Sequence, residues 1–183
     1  MSRFRIHTID TAPEGSKQSL QALQKNFGFI PNAAATMAGS PALINAFIGA
    51  FGSFHGAGFN EVEKQTLLLT NAVALRCAWT AAFHSTLALK TGVAPADVAA
   101  IRDQRLPADP KLAALSALAR ALIEHKGHGA DAAIERFGAA GYASAQVLDV
   151  VAGIAVSTMA ALTATMAQTP VEDLFKAQSW NPA

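Results

Sequence analysis

Asn60-Glu61-Val62-Glu63 opens the stretch whose pattern decides the fold. Lys64-Gln65-Thr66-Leu67-Leu68-Leu69-Thr70-Asn71-Ala72-Val73-Ala74-Leu75-Arg76-Cys77-Ala78-Trp79-Thr80-Ala81-Ala82-Phe83-His84 carries it on toward Lys90. Asn60 followed three residues later by Glu63 has the logic of a capping box, in which each side chain answers the other's backbone N–H. The pattern from Glu61 is helical to about Lys90, and Gly92 ends it. Some 30 residues is long for one globular helix, so a break is expected near Leu75 to Cys77.

Working outward, the chain reads as helix nearly throughout. It holds 41 alanines in 183 residues, and alanine is the best helix former. No segment alternates apolar and polar residues with period two, so strands lack support. Before the opening stretch, helices are expected over Ser16 to Phe27, Ala33 to Met37 (Asn32 as N-cap) and Pro41 to Phe54 (Ser40 as cap). After it they are expected from Pro95 to Arg102, from Asp109-Pro110 to about His125, over Ala130 to Phe137, and from Ser144 as cap to Met166. Pro170 would start a last short helix reaching Ala177. Every interruption is short, which gives one all-α domain spanning 1–183.

Charge and cysteine content narrow the function classes. Fourteen Lys and Arg against thirteen Asp and Glu give a net charge of +1, which argues against a nucleic-acid partner. A single cysteine cannot form an internal disulfide, so a stapled secreted scaffold is not expected. Met1 to Ala12 carries no signal-peptide core, and each apolar stretch is interrupted before the ~20 apolar residues a span needs. A cytoplasmic protein without a membrane partner is the expectation. Val147 to Met166 holds one charge, Asp149, and is apolar nearly all round. Such a helix is central in its fold or covered by a second subunit, so a homo-oligomer is expected.

Cys77, Thr80 and His84 stand at i, i+3 and i+7 and would share a helix face. A thiol and an imidazole so placed can exchange a proton, and a neighbouring cation or helix N-terminus lowers a thiol pKa. The plain alternative is a small buried thiol beside a histidine satisfied by a carbonyl. One Cys and one His do not make a metal site. Among the other histidines, His55 reads as a helix C-terminal cation or a second imidazole at a pocket, and His125 and His128 as part of a glycine-rich helix stop. Phe47, Phe51 and Phe54 read as core or subunit contact, or as the lining of an apolar pocket.

The run from Leu67 to His84 resembles the redox segment of the carboxymuconolactone decarboxylase family, which includes the AhpD-like alkylhydroperoxidases. In that family's Cys-x-x-Cys, followed by three residues and His, Cys77 matches the first cysteine, Trp79 the aromatic and His84 the histidine. Phe29-Ile30-Pro31-Asn32, Ser40-Pro41, Asp109-Pro110-Lys111-Leu112 and Gly141-Tyr142 resemble other family segments, so the likeness runs over roughly residues 20–178. It implies an AhpD-like bundle of about eight or nine helices that associates as dimers, trimers or hexamers. It implies a small-molecule substrate or ligand, and no cofactor or metal.

The departures bear on activity. Thr80 stands where the family's peroxide-attacking cysteine belongs, so the two-cysteine cycle is closed to this chain. The relay carboxylate twelve residues before the first cysteine becomes Gln65, with Glu63 two residues upstream. The family's Asn or Gly before the first cysteine is replaced by Leu75-Arg76, which removes a break signal. Three functions stay open. Cys77 alone is oxidised to a sulfenic acid that an external thiol resolves. His84 transfers protons without redox chemistry, with Thr80, Glu63 and Gln65 around it. Or the protein is a ligand-binding or oligomeric scaffold without turnover.

Overall fold

The computed structural model describes residues 4–182. Among the described residues the chain forms nine α-helices and one 3-10 helix, with no strand. They are α1 (Glu14–Phe27), α2 (Asn32–Met37), α3 (Pro41–His55), α4 (Glu61–Ala74), α5 (Ala78–Thr91), α6 (Pro95–Arg102), α7 (Pro110–Glu124), α8 (Asp131–Ala139) and α9 (Ser144–Met166), with the 3-10 turn Asp173–Gln178 last. The all-helical expectation holds.

Helix α4 lies at the centre, with every residue from Glu63 to Val73 buried. A helix enclosed on all sides needs its polar side chains answered from neighbours. Gln65 meets His84 of α5, Thr70 meets Ser116 of α7 at 2.9 Å, and Asn71 Nδ2 donates to Ser157 Oγ of α9 at 3.1 Å. Leucines 67, 68 and 69 fill the gaps between these contacts.

Local signals set most helix starts. Asn60 and Glu63 form the capping box at 2.9 Å in both directions, and Ser40 and Asp109 cap α3 and α7. Helix α1 begins at Glu14 and the last turn at Asp173, not at Ser16 and Pro170, and at two further starts the capping group differs from expectation. Asn32 is the first residue of α2, not its cap; its backbone N–H donates to Glu172 Oε1 at 2.7 Å, so a carboxylate from the C-terminal segment caps the helix. Ser144 is not the cap of α9 either. Gln146 there reaches back to accept from Ala143 N–H while its amide donates to Gly58 O.

Helix α9 is long and apolar enough to cross a membrane by composition, contrary to the expectation that every apolar stretch is interrupted too soon. Nearly half of that stretch is buried in the protein, against α2, α3, α4, α5 and α7. Gly153 is where it comes closest: a Cβ there would sit 2.9 Å from both Leu67 Cδ2 and Phe54 Cε2. Its other side is uncovered, with Leu148 at 72%, Leu162 at 64% and Met166 at 63% exposure.

Candidate functional site

The break between α4 and α5 falls at residues 75–77, as the length of the helical pattern predicts. Arg76 takes the left-handed conformation (φ 53°) that Asn or Gly would adopt with less strain. Arg76 N–H donates to Val73 O and Cys77 N–H to Ala72 O, the pattern of a Schellman closure. The turn therefore survives without its customary residue.

Cys77 is the N-cap of α5, with extended backbone (φ −103°, ψ 109°), and Thr80 and His84 lie on the helix beyond it. Because Cys77 is not itself helical, the shared face expected from the spacing does not form. Thr80 and His84 line a cavity; Cys77, 1% exposed, is enclosed by Ala33, Trp79, Ala161 and Ala164 instead. Thr80 Oγ1 donates to Cys77 O at 3.2 Å, which turns the hydroxyl hydrogen toward the turn.

Gln65 joins this group and Glu63 does not. Gln65 Oε1 lies 3.0 Å from His84 Nδ1, so Nδ1 carries the ring proton and Nε2 is left as the imidazole's acceptor. Glu63, two residues away and on another side of the same helix, is committed to the Asn60 backbone and to Lys111 Nζ at 2.9 Å. Its expected place beside His84 is corrected: it serves the start of α4. Lys111 also lies 4.6 Å over the Tyr142 ring, whose phenol is pushed above its ordinary pKa by burial and then by the Glu63 charge.

Burial, and then the nearby His55, push His84 down to about 3, so the ring is neutral at physiological pH. His55 is itself lowered, by burial and by Lys64, whose ammonium donates to the His55 carbonyl at 2.8 Å. His55 does not line the cavity that Thr80 and His84 share; its ring is tilted 47° to that of Phe51, with centroids 4.2 Å apart. His125 and His128 lie in the exposed turn after α7.

The cavity encloses about 50 Å³ between α1, α2, α3, α5 and α9, with Leu68 of α4 behind. Its walls are chiefly apolar, with Phe27, Phe47, Phe51, Trp79 and Phe83 among them. Phe54 packs in the core, the first of the places expected for these rings, while Phe47 and Phe51 line the cavity. Three wall residues bring polar side chains: His84, Thr80 and Ser157.

The comparisons with known proteins bear on this arrangement. Residues 41–124 match the carboxymuconolactone decarboxylase family. The family segment runs from the first residue of α3 to the last of α7 and so contains Cys77, Thr80, His84 and Gln65. The whole chain has the fold of the alkylhydroperoxidase AhpD core. A peroxidase-related protein from Ralstonia eutropha JMP134 superposes with a TM-score of 0.83 at 18% identity, over 100% of this chain and 98% of that one. A peroxidase-related protein from Silicibacter sp. TM1040 gives 0.79 at 13%, over 97% and 95%. The debrominase Bmp8 gives 0.75 at 20%, over 90% of each chain. A cysteine-to-alanine form of that debrominase, in complex with 2,3,4-tribromopyrrole, has the same fold at a TM-score of 0.73 and 17% identity, over 97% of each chain. No curated protein matches this chain in sequence.

Three contributors near the site escape sequence reasoning. Glu172 Oε2 accepts from Trp79 Nε1 at 2.8 Å while Oε1 accepts from Asn32 N, so one carboxylate fixes two walls of the cavity. Phe175 wedges between Phe29 and Phe83 beside it. Ser157 reaches the cavity from α9, 86 positions from its partner Asn71, and is visible only once α4 and α9 are packed. None of the three has a local motif to announce it.

Proposed function

We propose that this chain takes a small, largely apolar molecule into the cavity and that His84 accepts a proton, or a hydrogen bond, from it, with no thiol–disulfide cycle. The observation that carries this reading is the His84–Gln65 pair: a neutral imidazole with its Nδ1 engaged and its Nε2 available, in a cavity that Cys77 does not line. The low pKa keeps Nε2 unprotonated at physiological pH, which suits a hydrogen-bond acceptor; taking a full proton requires an occupant that raises the basicity of the ring. The apolar walls favour an aromatic or aliphatic body, and the tribromopyrrole bound by a debrominase variant of this fold supports an occupant of that kind. Thr80, without a thiol, adds a hydroxyl to the wall. The uncovered stripe of α9, Leu148, Val151, Leu162 and Met166, supports self-association of the chain, as expected from its composition.

A ligand-detected NMR screen of small aromatic and carbonyl fragments tests the reading, run on wild type, Cys77→Ala and His84→Phe. Fragments that still bind Cys77→Ala and no longer bind His84→Phe are expected. Binding indifferent to His84 overturns the proposal. For carbonyl fragments, His84-dependent exchange of an α-proton with D2O is the sign of turnover: the proton passes to Nε2 and a deuteron returns.

A second reading rests on Cys77, the one thiol of the chain, standing as the N-cap of the helix that carries Thr80 and His84. The thiolate would attack a hydroperoxide, forming Cys–SOH and releasing the alcohol. One external thiol would then form a mixed disulfide with loss of water, and a second would free Cys77.

A further inference from the structure

Ser157, like Thr66 and Ser85, makes no bond back along its own helix, and of these three it is the one that lines the cavity. Thr70, Thr86, Thr158 and Thr163 each donate to the carbonyl four residues back, at 2.8–3.0 Å. Ser157, 4% exposed, makes no such bond. Its oxygen accepts from Asn71 Nδ2 at 3.1 Å, which fixes one lone pair and leaves the O–H hydrogen without a protein acceptor among the described residues. Asn71, fully buried on α4, donates here through Nδ2, and its Oδ1 has no hydrogen-bond partner among the described residues. A buried hydroxyl held in this way on a cavity wall is a hydrogen-bond donor directed at an occupant, since leaving it unanswered costs about 1–3 kcal/mol.

The opposite polarity is present on the same cavity. His84 has its Nδ1 proton taken by Gln65, so Nε2 offers only a lone pair. His84 and Ser157 line the same cavity, so a single occupant can meet both groups. Around them the walls are apolar and carry no charged side chain, which disfavours ions.

We propose that Ser157, oriented by Asn71, is the specificity-determining residue of the cavity, and that the ligand class is an uncharged, ring-sized apolar molecule bearing both a hydrogen-bond donor for His84 and an acceptor for Ser157. The inference rests on the proposed function of the cavity and adds the acceptor requirement. Donor-only molecules satisfy half of the site, and acceptor-only molecules leave His84 facing a ring without a proton.

Four five-membered rings of nearly equal size separate these cases: pyrazole and imidazole (donor plus acceptor, at two spacings), pyrrole (donor only) and furan (acceptor only). Titrations at pH 8.5 on full-length wild-type protein, monitored by the 15N shifts of His84, give relative affinities without a variant. One of the two diazoles is expected to bind about three- to tenfold more tightly than pyrrole, the worth of one added hydrogen bond, with furan weakest. In Ser157→Ala the diazole advantage is expected to vanish while pyrrole binding stays. Ser157→Cys, of similar shape with a weaker donor, should fall between and guards against a folding defect in the alanine form. Diazoles no tighter than pyrrole in wild type, or an advantage that survives Ser157→Ala, overturn the inference while leaving the cavity reading intact. If none of the rings moves the His84 signals, the cavity reading falls and this inference with it.

Discussion

His84 Nδ1 and Gln65 Oε1 lie 3.0 Å apart and join α5 to α4 on the far side of the Arg76 turn. Gln65→Glu places a carboxylate against the ring and, by favouring imidazolium, is expected to raise the His84 pKa by at least about one unit. Imidazole 15N shifts against pH read this directly. An unmoved pKa would mean that the ring does not depend on residue 65.

Stability should depend on pH through the same ring. His84 is lowered in the folded protein to about 3 from an ordinary value of 6.5, so between those values the unfolded chain binds more protons. Its contribution is fully present above about pH 6.5 and is lost as pH falls toward 3, at no more than ~1.4 kcal/mol per pH unit. His55, also lowered, acts in the same direction. Denaturant midpoints should rise from pH 4 to about 6.5 and level off above it, and His84→Gln should flatten the slope.

Cys77 should be a slow thiol in the native protein. Enclosed by Ala33, Ala161 and Ala164, it can meet iodoacetamide only through local opening, so alkylation is expected to be at least ~10-fold slower than in denaturant. Rapid native alkylation near pH 7, slowed in His84→Ala, would favour the single-cysteine peroxidase over proton transfer.

Gly153→Ala should destabilise without touching the cavity walls. The new methyl group would lie 2.9 Å from Leu67 and Phe54 in packed core, and overpacking of this kind costs about 1–3 kcal/mol. Thermal unfolding measures it; a Tm equal to wild type would show that α9 and α4 yield at this point.

Among the helix starts that sequence reasoning locates, Ser40, Asn60 and Asp109 each cap the helix beginning at the next residue, and Pro95 opens α6 as its first residue. One that it misplaces uses a distant group. The capping role that local pattern gives to Asn32 is performed by Glu172, 140 residues later. For the site, periodicity pairs Thr80 with His84 correctly because both are inside α5, and it misplaces Cys77 because an N-cap residue does not obey the helical wheel. Glu63 and Gln65 look interchangeable in one dimension. Two residues along a helix is some 200° of rotation, and only Gln65 turns toward α5. Ser157 is illegible in the sequence because its meaning comes from Asn71, 86 residues away.

Glu172 also sets an order of events during synthesis. The residues it secures, Asn32 and Trp79, are translated long before it, and domains begin to organise from the N-terminal side as they emerge. Until residues 170–178 have left the ribosome, the first N–H of α2 and the Trp79 indole lack their shared carboxylate, and Phe175 is not yet seated between Phe29 and Phe83. The cavity walls at α2 and Trp79 therefore gain their shared carboxylate only when the C-terminal segment packs back across them.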